Sequence, residues 1–151
     1  MEKKKVEKTT VLMVSLQTSL STLVTDMQDY PSQLMAKAEE LGLEITGPQI
    51  WNYFGVDGKP ETRFNLDICI PISAVNGNPG QFKFDVLPEV TCITELHKGT
   101  WSELGNTYQR VFGEMGRKGM VPTGANREIY LHCDFENQEN NLTEVQVVVH
   151  Q

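Results

Sequence analysis

Cysteine is scarce: Cys69, Cys92 and Cys133 are the only three in 151 residues, and no two have the CxxC spacing. An odd, scattered set of thiols supports neither a disulfide framework nor a zinc site, and reads as reduced, buried side chains. Histidine is equally sparse. His97, His132 and His150 lie in separate segments, and His132 beside Cys133 must face the opposite side of any strand, so no metal or other cofactor is expected. Long apolar runs are missing too. The stretch Val11 to Leu16 is broken by Ser15, too short for an export signal despite the lysine-rich Met1 to Lys8, and nothing could span a membrane. The expected location is therefore cytoplasmic, and the sequon Asn141-Leu142-Thr143 reads as chance. Basic residues are in the minority, 13 Lys and Arg against 20 Asp and Glu, giving a net charge of -7. Such a field repels phosphate backbones, which argues against direct nucleic-acid binding and suits a neutral or cationic partner. No Ser/His/Asp or Cys/His constellation is visible, and Cys69 has no basic neighbour in sequence to activate it.

What the chain does contain is a repeat. Gly42-Leu-Glu-Ile-Thr-Gly-Pro-Gln-Ile-Trp-Asn-Tyr-Phe54 aligns with Gly119-Met-Val-Pro-Thr-Gly-Ala-Asn-Arg-Glu-Ile-Tyr-Leu131 at an offset of 77, with four of thirteen positions identical. The same offset pairs Leu66–Ile70 with Thr143–Val147 and, carried upstream without gaps, Val11–Leu16 with Pro88–Ile93. Each half then reads as strand, helix, strand, strand within one domain, the first half over about 6–75 and the second over about 81–151. Asn76-Gly-Asn-Pro-Gly80 is the break between them.

The second-half helix is the clearer one. Trp101, Leu104, Tyr108, Val111, Phe112 and Met115 recur at helical spacing, Thr100 and Glu103 have capping-box spacing, and Arg117 and Lys118 precede a stop at Gly119. In the first half Pro31 suits an opening turn, Leu34, Ala38 and Leu41 form the stripe, and Ser19 to Met27 reads as a short separate helix. Hairpins follow, from 49–54 to 64–72 across Gly55–Gly58 and from 128–133 to 142–149 across an Asn-rich loop. His97 is expected in the turn that leads into the second helix.

Alternation sorts these strands into faces. Thr143, Val145, Val147 and Val149 form a core side, as do Leu66, Ile68, Ile70 and Ile72, which leaves Glu144, Gln146 and the equivalent Asp67 opposite. Taking Ile129 and Leu131 as core sends Glu128, Tyr130 and His132 away, and with them Trp51 and Tyr53. The expected ligand wall on this reading is Trp51, Tyr53 and Tyr130 around Glu144, with Asp67 and Gln146 on the same face, an aromatic and acidic lining for a flat, lipophilic, cationic molecule; Tyr108 of the second helix is a further candidate. A hydrolase built on Glu144 with a Tyr130 or Tyr53 hydroxyl, and a protein that inhibits another protein, are the rival readings.

His97-Lys-Gly-Thr-Trp101, Gly119 to Gly124, Arg127-Glu-Ile-Tyr-Leu131 and Leu142-Thr-Glu-Val-Gln-Val147 resemble, in order and spacing, the GyrI-like effector-binding domains. The resemblance spans nearly the whole chain. It implies an α+β fold in which a duplicated β-α-β-β unit, of the SHS2 type, forms a curved antiparallel sheet with helices on one face and a ligand groove on the other. It further implies that Glu144 matches the acid that faces lipophilic cations in drug-binding members, and that Tyr130 and Trp101 fall at aromatic positions of the groove or its rim. Trp101 fits core packing equally well. Many relatives carry a DNA-binding region and activate transcription, but here the two halves leave no room for a helix-turn-helix. Stand-alone relatives are linked to drug binding, gyrase inhibition and toxin hydrolysis, and integron cassette proteins include similar cation binders, so the fold does not select among them.

Overall fold

The computed structural model describes residues 1–150. In chain order they form β1 (Glu2–Val6), β2 (Thr9–Thr18), α1 (Leu23–Asp26), α2 (Tyr30–Glu40), β3 (Ile50–Phe54), β4 (Phe64–Pro71), β5 (Lys83–Leu87), β6 (Val90–Lys98), α3 (Leu104–Arg117), β7 (Pro122–His132) and β8 (Leu142–Val149). Short 3-10 turns occupy Trp101–Glu103 and Gln138–Asn140. The fold is α+β, and no described helix is long and apolar enough to cross a membrane.

The chain divides into two compact units, a first of Lys8–Pro88 and a second of Met1–Glu7 with Glu89–Gln151. Each contains a four-stranded antiparallel sheet, ordered β5-β2-β4-β3 in the first and β1-β6-β8-β7 in the second. The halves read from sequence are corrected here in two respects. Strands β1 and β5 were not anticipated, and each joins the unit that does not contain the strand following it: β1 precedes β2 but pairs with β6, and β5 precedes β6 but pairs with β2. In consequence the Asn76–Gly80 break lies inside the first unit, and the boundary falls after Pro88. The lysine-rich start is an edge strand of the second sheet, where charge discourages pairing with another chain.

The repeat offset holds for the hairpins and fails for the opening strands. Ile50 pairs with Cys69 and Arg127 with Gln146, so residues 77 apart are equivalent in β3 and β7 as in β4 and β8. Met13, however, pairs with Cys69 where Thr94 pairs with Gln146, which makes residues 13 and 94 equivalent and shifts the opening strands by four. A longer connection before α2, which contains α1, absorbs the difference, and no gapless alignment could reveal it.

The helices follow the apolar stripes. In the second unit Val111 and Met115, both buried, pack on Ile93, Val145, Val147 and Val149, with Leu104, Tyr108 and Met120 at the margins. Burial of each such side chain contributes roughly 1.5–3 kcal/mol. Phe112 is 40% exposed and flanks this face. In the first unit Leu34 and Ala38, at the same 77-residue offset from Val111 and Met115, are fully buried. Both helices end in one motif. Gly42 and Gly119 adopt φ of 67° and 69°, and the N–H groups of Leu43 and Met120 reach back to the carbonyls of Ala38 and Met115. Glycine suits this left-handed position because it has no Cβ to clash. Pro31 does sit in the first turn of α2. The capping box is corrected: Thr100 makes no side-chain cap, its hydroxyl pairs with Ser102, and the Glu103 carboxylate accepts from Asn106 instead. The 3-10 turn at Trp101–Glu103 displaces the start of α3 to Leu104, so the box spacing falls before the helix.

Candidate functional site

Cross-strand partners lie on the same side of a sheet, so the register decides which side chains share a face. In the second unit Glu128 faces Val145 and Tyr130 faces Thr143, while Ile129 faces Glu144 and Arg127 faces Gln146. Val145 belongs to the cluster packed under α3. Glu128 and Tyr130 are therefore on the α3 side, and Glu144 and Gln146 are on the reverse side with Ile129. The expected grouping of Tyr130 with Glu144 is overturned. The alternation within each strand was sound, but the apolar appearance of Ile129 and Leu131 placed β7 one residue out of phase with β8, which turns every side chain over. Leu131 is 44% exposed and lies at an irregularity between Tyr130 and His132.

The first unit repeats the pattern. Trp51 faces Ile68 and Tyr53 faces Leu66, whereas Asn52 faces Asp67. Gln49, in phase with Trp51, donates from Nε2 to the Pro31 carbonyl at the start of α2 (3.2 Å) and accepts the Trp51 indole N–H (3.1 Å). Trp51 and Tyr53 are thus buried on the helix side, Tyr53 with its ring centroid 5.8 Å from that of Phe64. Asp67 lies on the opposite face, where Ser15 Oγ donates to it at 2.7 Å and Asn52 Nδ2 at 3.3 Å. Aromatics and acids assigned to one wall are separated by the sheet in this unit as well, for the same reason.

On the reverse face of the second unit, Glu144 is already engaged. Lys4 of β1 places Nζ 2.8 Å from its Oε2, and Gln146 Nε2 donates to the same oxygen at 2.6 Å. The hydrogen bond to Glu144 raises the Lys4 pKa above the ordinary lysine value, against the desolvation that opposes it. Near them Cys92 is buried, and that burial pushes its thiol up to about 11.

The α3 face holds a different constellation. Glu128, 7% exposed, accepts hydrogen bonds on both carboxylate oxygens: Tyr108 Oη from α3 at 2.7 Å on Oε2, and Tyr130 Oη from its own strand at 2.8 Å on Oε1. Trp101 stands over Tyr130 with ring centroids 6.0 Å apart and nearly perpendicular planes, and Phe135 packs against the same indole at 5.2 Å. Tyr108 stacks on Phe112 at 6.3 Å. A carboxylate bearing two phenol donors beside aromatic rings can accept a cation while excluding water. Of the residues singled out from sequence, the structure assembles Tyr108, Tyr130 and Trp101 here. Glu128 was missed as a site residue, although its spacing of two from Tyr130 placed both on one side of a strand.

His97 is not in a turn but near the end of β6, 6% exposed, and faces Thr143. Its Nε2 lies 2.8 Å from the Thr100 carbonyl and its Nδ1 2.7 Å from the Thr107 hydroxyl. The carbonyl can only accept, so Nε2 carries a proton, and Nδ1 hydrogen-bonds with the Thr107 hydroxyl. This ring ties β6 to the Trp101 turn and to α3. No described group of three or more His, Cys, Asp or Glu side chains is arranged to hold a metal ion.

The model of a family described as "GyrI-like small molecule binding domain" matches residues 1–150. No functionally curated protein matches the chain. Among solved structures, the EcmrR C-terminal domain is similar with a TM-score of 0.80 at 20% identity, over 99% of this chain and 96% of that one. SAV2435 bound to tetraphenylphosphonium gives 0.67 at 8% identity, over 99% and 93%. A hydrolase from Listeria innocua gives 0.63 at 14% identity, over 99% and 92%. At these identities each likeness speaks to the fold alone.

Proposed function

This chain belongs to the family of GyrI-like small-molecule-binding domains, and from that premise we propose that it binds a lipophilic organic cation on the α3 face of its second unit, against Glu128, Tyr108, Tyr130 and Trp101. The observation that carries the reading is the buried Glu128 carboxylate with a phenol on each oxygen. Burying a carboxylate is costly, and the two phenol donors offset part of that cost. A carboxylate set among ring faces suits a cationic ligand. Since both oxygens already accept hydrogen bonds, the ligand need not donate one, and a shielded charge with apolar substituents can press against the ring faces. The relative solved with tetraphenylphosphonium supports a ligand of this type. Glu144, first assigned this role, is held by Lys4 on the other side of the sheet.

Isothermal titration with tetraphenylphosphonium tests the assignment. Glu128→Gln should weaken binding by on the order of tenfold or more, because it removes one partner of a desolvated charge pair. Glu144→Gln should change it by less than about twofold, as expected for a charge outside the contact. A larger loss from Glu144→Gln, or unaltered binding by Glu128→Gln, would overturn the proposal.

A further inference from the structure

Two hydrogen-bonding groups beside the Glu128 constellation are unsatisfied. Trp101 Nε1 and Thr143 Oγ1 are both buried and have no hydrogen-bond partner among the described residues. Thr143 is fully buried and occupies one cross-strand row with His97 on β6 and Tyr130 on β7, so its hydroxyl belongs to the α3 face. The Trp101 ring stands over that same Tyr130. A buried hydroxyl or indole N–H left without a partner forfeits its hydration, and native structures rarely leave such a group unpaired unless something else bonds to it. His97 is satisfied at both nitrogens and both Glu128 oxygens accept phenols, while Asn141 Nδ2, two residues before Thr143, is likewise buried without a partner among the described residues.

We infer that Trp101 Nε1 and Thr143 Oγ1 form a second, uncharged subsite of the proposed pocket, which binds an oxygen acceptor of the carbonyl or ether class carried on an aromatic ligand. The inference deepens the cation reading, since it rests on that location for the pocket, but it assigns the ligand a neutral recognition group that Glu128 cannot provide. Both groups can donate, and an indole N–H can only donate, so the ligand atom must be an acceptor. Phe135, 70% exposed, packs edge-on against the Trp101 indole from the 133–141 segment. That segment is pinned at its ends, where Asn141 Oδ1 accepts the Asp134 N–H at 2.6 Å and the Asn141 carbonyl accepts the Gly99 N–H.

Neutral probes separate this inference from the cation reading. Benzophenone carries a carbonyl between two rings, and diphenylmethane is the same shape without it. By ligand-observed NMR titration, wild type should prefer benzophenone at least about fivefold, the loss expected when one hydrogen bond to a buried group is missing. Trp101→Phe, which keeps a ring, and Thr143→Val, which keeps the volume, should each reduce that preference, and the double variant should abolish it. Thr143→Ser should retain it, and Glu144→Gln, on the other face of the sheet, should leave it intact. Absence of the preference in wild type, as when ordered water alone fills the subsite, or its survival in the double variant, overturns the inference. Failure of Glu128→Gln to affect tetraphenylphosphonium overturns only the cation reading.

Discussion

Glu128 and Trp51 occupy equivalent positions in the two repeats: Trp51 faces Ile68 across β3 and β4, and Glu128 faces Val145 across β7 and β8. Two residues further on, Tyr53 and Tyr130 are equivalent and identical in type. Duplication has supplied the same floor twice, and one copy has exchanged an indole for a carboxylate. A buried acid among aromatic rings is costly unless it is partnered, and the phenols of Tyr108 and Tyr130 are two of its partners.

Removing either phenol should therefore destabilise the fold through Glu128. Tyr108→Phe and Tyr130→Phe are each expected to cost about 1.5–3 kcal/mol, the range for a hydrogen bond to a charged group. In a Glu128→Gln background the same changes should cost less, because a neutral amide gains less from a phenol donor. Urea unfolding of the single and double variants measures this. Costs that add without coupling would show that the phenols contribute packing alone.

The Lys4–Glu144 pair predicts an alkaline signature. Folding raises the Lys4 pKa, chiefly through its hydrogen bond to Glu144. A raised lysine pKa means that the stabilisation is fully present below the unfolded value of 10.5 and is lost as pH rises through the higher folded value. Lys4 is 39% exposed, so solvent screening keeps the contribution at or below about 1 kcal/mol. The Tm gap between wild type and Lys4→Met should be present at neutral pH and close in the alkaline range. A gap independent of pH would assign the effect to packing of the lysine stem.

Thiol chemistry should distinguish the cysteines by depth. Cys69 and Cys92 are buried and Cys133 is exposed. Burial also pushes the Cys92 thiol up to about 11, which leaves almost no thiolate near neutrality. In the native protein a disulfide reagent should titrate one of the three thiols, and Cys133→Ser should abolish that reaction, whereas all three react after unfolding. Rapid native modification of Cys92 would show that β1 opens from β6 on the experimental timescale.

Much of the hairpin and helix pattern was legible because it is local. The Val111 and Met115 stripe, the glycine stops at 42 and 119, and the two hairpins all follow from spacing and backbone preference within short windows. The pairing of Asp67 with Glu144 by the repeat was also legible, since the hairpins kept their length. The site was harder to read. It depends on whether Tyr130 lies opposite Thr143 or one residue away, and the sequence near Ile129 and Leu131 favoured the wrong phase.

By itself, then, the sequence determined a duplicated α+β chain with two amphipathic helices and a net charge of -7. The tertiary structure decided which side of each strand meets the helix. Alternation records that two residues of one strand share a side, as Glu128 and Tyr130 do, but only the hydrogen-bonded partner strand says which side that is. Long-range pairing also drew β1 and β5 into the units that their neighbours in sequence do not predict. Through the first of these effects the acid beside the aromatics became Glu128, and through the second Glu144 was given Lys4 as its counter-charge.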